Sequence, residues 1–110
     1  MLPRVHRIVS GLELREVQRR GKKTATPFFV VATAPAPNEV SRWGFVVSKK
    51  VGNAVTRNLV KRRLRELAGS TRDRHPDGMR TVVRALPASS KASFAELAAA
   101  WEEALGRVQR

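Results

Sequence analysis

Ser48-Lys49-Lys50-Val51-Gly52-Asn53-Ala54-Val55-Thr56-Arg57-Asn58-Leu59-Val60-Lys61-Arg62-Arg63-Leu64-Arg65-Glu66-Leu67 runs from the end of an apolar stretch, through a Gly-Asn turn, into a helix. From Lys49 to Arg65 it carries seven basic residues and no acidic one. At about 100° per residue, Arg57, Lys61, Arg65, Asn58 and Arg62 share one arc, and Val60, Leu64 and Leu67 share the neighbouring arc. A helix so built seats its aliphatic side on a sheet and holds guanidinium, ammonium and amide groups out to a polyanion. The competing reading is an ordinary solvated charged face. Against it, no acidic partner follows until Glu66, so the like charges repel one another. Such a helix gains most from an anion supplied by something else.

Working outward, 110 residues suit one domain with one core. The balance of 22 Lys and Arg against 9 Asp and Glu gives a formal net charge of +13, spread from Arg4 to Arg110. Charge of that size argues for a nucleic acid or an anionic membrane surface as partner and says nothing about fold. No apolar run approaches the ~20 residues of a membrane span. The opening Met1-Leu2-Pro3-Arg4-Val5-His6 lacks the apolar core of a secretory signal. Absence of cysteine excludes a disulfide framework, a thiol nucleophile and a zinc-thiolate site. A cytoplasmic location is expected.

Residues 1–9 read as an extended basic lead-in. Ser10-Gly11-Leu12-Glu13 has the spacing of a capping box, with Leu12, Leu14 and Val17 expected to pack inward until Gly21 ends the helix. Residues 27–33 and 43–48 read as apolar strands, separated by a connector at 34–39 whose prolines disfavour helix. The two are expected to pair as a hairpin. The basic helix is expected over residues 54–68, closed by Gly69. A third strand is expected over 79–86, stopped by Pro87. Ser93-Phe94-Ala95-Glu96 is a second capping box, opening a helix whose Leu97, Ala98, Trp101 and Leu105 form a sheet-facing stripe. Phe94 and Trp101 are read as core residues in preference to base-stacking platforms. The order α-β-β-α-β-α over residues 1–110 makes a single α+β domain, helices against a small sheet.

The sequence offers little protein-borne chemistry. His6 and His75 are the only imidazoles and read as stray surface residues. There is no HExxH, no Gly-x-Ser-x-Gly and no phosphate-binding glycine loop. The nine carboxylates scatter along the chain, and Glu102-Glu103 falls on an exposed helix face. No catalytic residue, metal site or small-molecule substrate is expected of the protein itself.

Lys49-Lys50-Val51-Gly52-Asn53-Ala54-Val55-x-Arg57-Asn58-x-x-Lys61-Arg62-x-x-Arg65-Glu66 resembles the signature of the protein component of bacterial ribonuclease P. The likeness extends to Arg7-Ile8, the helix ending in Gly21, both apolar strands, and Val82-Val83-Arg84-Ala85-Leu86-Pro87-Ala88. It implies a fold like the second domain of ribosomal protein S5, with a left-handed β-α-β crossover. It further implies two partners, a catalytic RNA that uses Mg²⁺ and the precursor tRNA whose 5′ end that RNA matures. On the motif match Lys49, Lys50, Asn53, Arg57, Asn58, Lys61, Arg62 and Arg65 become RNA-contact residues. A cleft for the single-stranded 5′ leader would be lined by Leu14, Gln18, Val30 and Ala32.

Two departures matter. Leu59 stands where the family's motif usually has another arginine, which affects a flank of the basic face. Leu14, Gln18, Val30 and Ala32 occupy positions where family members often carry aromatics. A stacking platform supplies about 1–3 kcal/mol per base, so leader binding here is expected to lean on backbone charge. Three alternatives stay open at this point. They are a ribosome-associated or general structured-RNA binder, an interfacial membrane helix, and a nuclease acting alone.

Overall fold

The computed structural model describes residues 4–74 and 77–108. A 3-10 turn (Arg4–His6) precedes α1 (Gly11–Arg20), β1 (Lys22–Ala25), β2 (Phe29–Val40) and β3 (Arg42–Val46). Then follow α2 (Ala54–Arg74), β4 (Asp77–Ala85), a 3-10 turn (Pro87–Ser90) and α3 (Phe94–Val108). The four strands form one sheet in the order β1-β2-β4-β3. β2 lies antiparallel to β1 and β4, whereas β3 runs parallel to β4.

This arrangement corrects the expected hairpin. β2 and β3 are neighbours in sequence but not in the sheet, because β4 returns after α2 and inserts between them. The order α-β-β-α-β-α is also short by one strand. β1 is Lys-Lys-Thr-Ala, with no large apolar residue to announce it, and it survives as an edge strand paired only to β2. β2 in turn runs through Pro35 and Pro37. Its pairing with β1 stops at Thr33, and on an open edge a residue lacking an N–H donor is tolerated.

Strand alternation sorts the core into two layers. Phe29, Val31, Val83 and Ala85 face α2 and α3, packing with Val60, Leu64, Leu67, Ala68, Leu97 and Trp101. The alternate residues Ala32 and Val82 face α1, packing with Ile8 and Val17. Leu12 is 70% exposed, against expectation. It sits two residues from Leu14, about 200° round the helix, so both cannot face the sheet. Phe94 also stays exposed, and α3 enters the core one turn later at Leu97.

His6 is not a stray surface residue. It is buried, its Nδ1 lies 2.6 Å from the carbonyl oxygen of Ser41, and its ring packs near Trp43. Ile8 N–H donates to the Trp43 carbonyl at 2.8 Å, and Arg7 bridges Trp43 in parallel, so the lead-in is stitched to the outer edge of β3. His75 lies outside the described residues.

The second capping box forms as expected. Ser93 N–H donates to Glu96 Oε1 at 2.9 Å and Glu96 N–H to Ser93 Oγ at 3.1 Å. The first forms only half. Glu13 N–H donates to Ser10 Oγ, but the Glu13 carboxylate takes Arg42 in a two-pronged pair at 2.8 and 2.5 Å, with Arg80 at 3.4 Å. The Arg42 fork, with Arg80 beside it, offers that carboxylate more than one backbone amide does. The pair ties α1 to β3 and β4.

Candidate RNA interface

α2 begins where Asn53 Oδ1 accepts the N–H of Thr56 at 2.9 Å, satisfying a free amide of the first turn. Gly52 permits the close approach that this needs. A Cβ there would stand 2.9 Å from Thr56 Cγ2, on a backbone with φ +157°. Val60, Leu64, Leu67 and Ala68 are buried against the sheet and α3, which fixes the rotation of the helix about its axis. The helix does not end at Gly69 but continues to Arg74. Thr71, one turn beyond Leu67, donates Oγ1–H to the Leu67 carbonyl at 3.0 Å and accepts the Trp101 Nε1–H at 2.7 Å. Glycine lowers helix propensity by only ~1 kcal/mol, and packing against α3 outweighs it.

With the rotation fixed, the basic residues separate into two groups. Arg63 turns toward α3 and donates to the Ala92 carbonyl at 3.1 Å. Arg57, Asn58, Lys61, Arg62 and Arg65 stand on the other side, half-buried or exposed. Lys61 and Arg65 lie on a ridge between two concavities. One is lined by Asn58, Lys61, Arg62, Arg65 and Glu66. The other, of about 230 Å³, is lined among others by Arg7, Leu14, Trp43, Phe45, Lys61 and Arg65. Among the described residues no ion pair engages Arg57, Lys61, Arg62 or Arg65. The Nε of Arg57 and that of Arg65 are buried without a hydrogen-bond partner among those residues.

Lys49 and Lys50 form the exposed turn just before α2. The first turn of α2 contains no acidic residue. Two cations therefore sit near the positive end of the helix dipole, where an anion is favoured and a cation is not. Asn53 is exposed as well, although its carboxamide oxygen is committed to the cap.

The four cleft residues do not all meet. Gln18, Val30 and Ala32 line one notch of about 80 Å³ between α1 and the sheet, together with Lys23, Val82 and Arg84. Leu14 is held apart, in the concavity shared with Lys61 and Arg65, because one turn of α1 separates it from Gln18. Lys23 and Arg84 were not singled out from sequence. Alternation around Val83 does place Arg84 on the Val82 face, the one signal that could have found it. Lys23 lies in the unannounced strand β1.

Among the described residues no helix is long and apolar enough to cross a membrane, and no three of His, Asp and Glu gather where a metal ion could be held.

The family model described as Ribonuclease P matches residues 2–109. A ribonuclease P protein component from a Nocardioides species is 46% identical over 98% of this chain and 95% of its own. The one from Clavibacter michiganensis is 40% identical over 100% and 98%. Among solved structures, the ribonuclease P protein of Staphylococcus aureus superposes with a TM-score of 0.82 at 28% identity, covering 93% of this chain and 94% of that one. That of Thermotoga maritima gives 0.81 at 26% identity, covering 93% and 96%. A basic helix whose Arg57, Lys61, Arg62 and Arg65 have no ion pair among the described residues, the sheet that carries it and the match along nearly the whole length lead to one conclusion: this chain belongs to the ribonuclease P protein family.

Proposed function

We propose that this chain is the non-catalytic protein subunit of a ribonucleoprotein ribonuclease P, binding the catalytic RNA and the 5′ leader of precursor tRNA. The observation that carries the reading is the row Arg57, Lys61, Arg62 and Arg65 on α2, which no carboxylate among the described residues matches. Guanidinium forks on Arg57, Arg62 and Arg65 suit phosphate oxygens in pairs, Lys61 adds a point charge, and Asn58 can donate and accept at once. Lys49, Lys50 and Asn53 extend the same surface into the turn. Folded RNA is recognised largely by shape and backbone, which such a surface reads well. Kinship with the second domain of ribosomal protein S5 belongs to the same proposal, as does a left-handed sense for the connection through α2, which the parallel pairing of β3 with β4 makes a β-α-β crossover.

In this mechanism the protein acts on charge and position. Bringing two RNAs together crowds phosphates, and the α2 cations offset that repulsion, so less Mg²⁺ is needed. Mg²⁺, bound by the RNA, supplies the Lewis acidity for hydrolysis. The protein's described residues do not assemble a metal-binding group, and they hold the leader and the catalytic RNA in register.

The decisive assay combines catalytic RNA, protein and precursor tRNA at low Mg²⁺, omitting each in turn. Cleavage is expected to require the RNA and to be restored by the protein. Arg65→Ala should raise the Mg²⁺ requirement while leaving the melting temperature nearly unchanged. RNA binding without any effect on cleavage would favour the general structured-RNA binder, and cleavage by protein alone would favour a nuclease.

A further inference from the structure

The notch between α1 and the sheet has the wrong shape and lining for a nucleobase. Its volume is about 80 Å³, well below the ~300–1,000 Å³ of pockets that enclose flat organic ligands. Its floor is aliphatic, with Ala32 and Val82 buried and Val30 half-buried, and none of its lining residues is aromatic. What it does have is a cation on each side. Lys23 and Arg84 are both exposed, and neither side chain has an ion pair or hydrogen bond among the described residues.

Sheet register sets their separation. Lys23 pairs with Ala32, and Ala32 with Val82; one pleat further on, Val30 pairs with Arg84. Two strand spacings and two residues of rise place the Lys23 and Arg84 backbones roughly 12 Å apart, far enough to engage separate phosphates of one strand. Both belong to a rigid sheet, and Arg84 sits on β4, which is paired on both sides. Gln18 adds a neutral amide from α1 above the floor.

We propose that Lys23 and Arg84 form a two-point clamp on the sugar-phosphate backbone of a single RNA strand, which crosses the Val30–Ala32–Val82 floor with its bases turned outward. Resting on the leader-binding reading above, the clamp makes this chain indifferent to leader sequence while sensitive to leader charge. Lys23 and Arg84 are then binding residues for the substrate, distinct from the α2 surface that meets the catalytic RNA.

The test uses the reconstituted holoenzyme and measures dissociation constants for precursor and mature tRNA over a range of salt. Arg84→Ala and Lys23→Ala should each weaken precursor binding about threefold to tenfold and leave mature tRNA unaffected. Each should lower the salt slope by about 0.7, one single-strand phosphate contact. Arg84→Lys should keep the slope and Arg84→Gln should not. Uncharged methylphosphonate linkages in the leader should reproduce the loss with the unaltered protein, which removes any question of folding. Equal weakening of precursor and mature tRNA would overturn the clamp, as would a strong preference for particular leader bases. A failure of the wider reading looks different, because then the unaltered protein would give no stimulation of the catalytic RNA at all.

Discussion

At the scale of the residue, Glu13 shows one carboxylate taken up by the fold, whereas no ion pair engages Arg57, Lys61, Arg62 or Arg65 among the described residues. The hydrogen bond from Arg42 holds its carboxyl below the ordinary value of 4.5; burial opposes this, and the charges of Arg42 and Arg80 reinforce it. A carboxyl lowered in the folded state stabilises the fold above its unfolded value, and that contribution is lost as pH falls through the folded value. Glu13→Gln should therefore cost about 1 kcal/mol near neutral pH, as expected for a partly exposed two-pronged pair. Denaturant melts of the two proteins should converge in acid. A constant gap down the whole pH range would assign the effect to packing instead. The sequence offered Glu13 only as a capping-box residue, since Arg42 and Arg80 lie 29 and 67 positions away.

At the scale of the element, α2 is held as a rod by its far end as much as by its cap. Thr71 and Trp101 are both almost fully buried and satisfy one another. Thr71→Val keeps the shape but leaves the indole N–H without an acceptor, a loss of about 1–3 kcal/mol. Stability measured by denaturant should fall by that much, while RNA affinity per folded molecule stays near its starting value. A smaller cost of Thr71→Val in a Trp101→Phe background than in the unaltered protein would assign the loss to the indole N–H. Helices such as α2 and α3 could be read from the sequence because their signals are local: a cap, an apolar arc, a change of charge. Gly69 misled as a terminator since the contact that overrides it comes from α3, thirty residues downstream. β1 and the place of β4 were unreadable for a related reason. An edge strand of Lys-Lys-Thr-Ala has no apolar signature, and no local pattern says which strand will slot between two others. The notch was read in part, through Gln18, Val30 and Ala32, while its cations escaped.

At the scale of the whole molecule, a formal charge of +13 in a domain this small destabilises the compact state through self-repulsion. An anion that binds only the folded form then stabilises by mass action, about 2.7 kcal/mol at a hundredfold excess over its dissociation constant. Sulfate or phosphate should raise the melting temperature of the free protein more than chloride at matched ionic strength. Sulfate also strengthens burial generally, so the double variant Arg57→Ala/Arg65→Ala provides the control. It should lose the specific increment and keep the general one. If both proteins respond alike, the α2 surface does not bind anions in the isolated chain.

β4 is the keystone of this architecture: it pairs with β2 on one side and β3 on the other, and without it nothing joins β3 to the sheet. During synthesis, a ribosome that has passed the basic helix has still to make residues 77–85 before the sheet can close. The α2 ridge and the α1 notch are mounted on opposite layers of that sheet, so neither has its final setting until residues 77–85 are in place. A chain cut short before residue 77 should therefore hold neither surface in its final place.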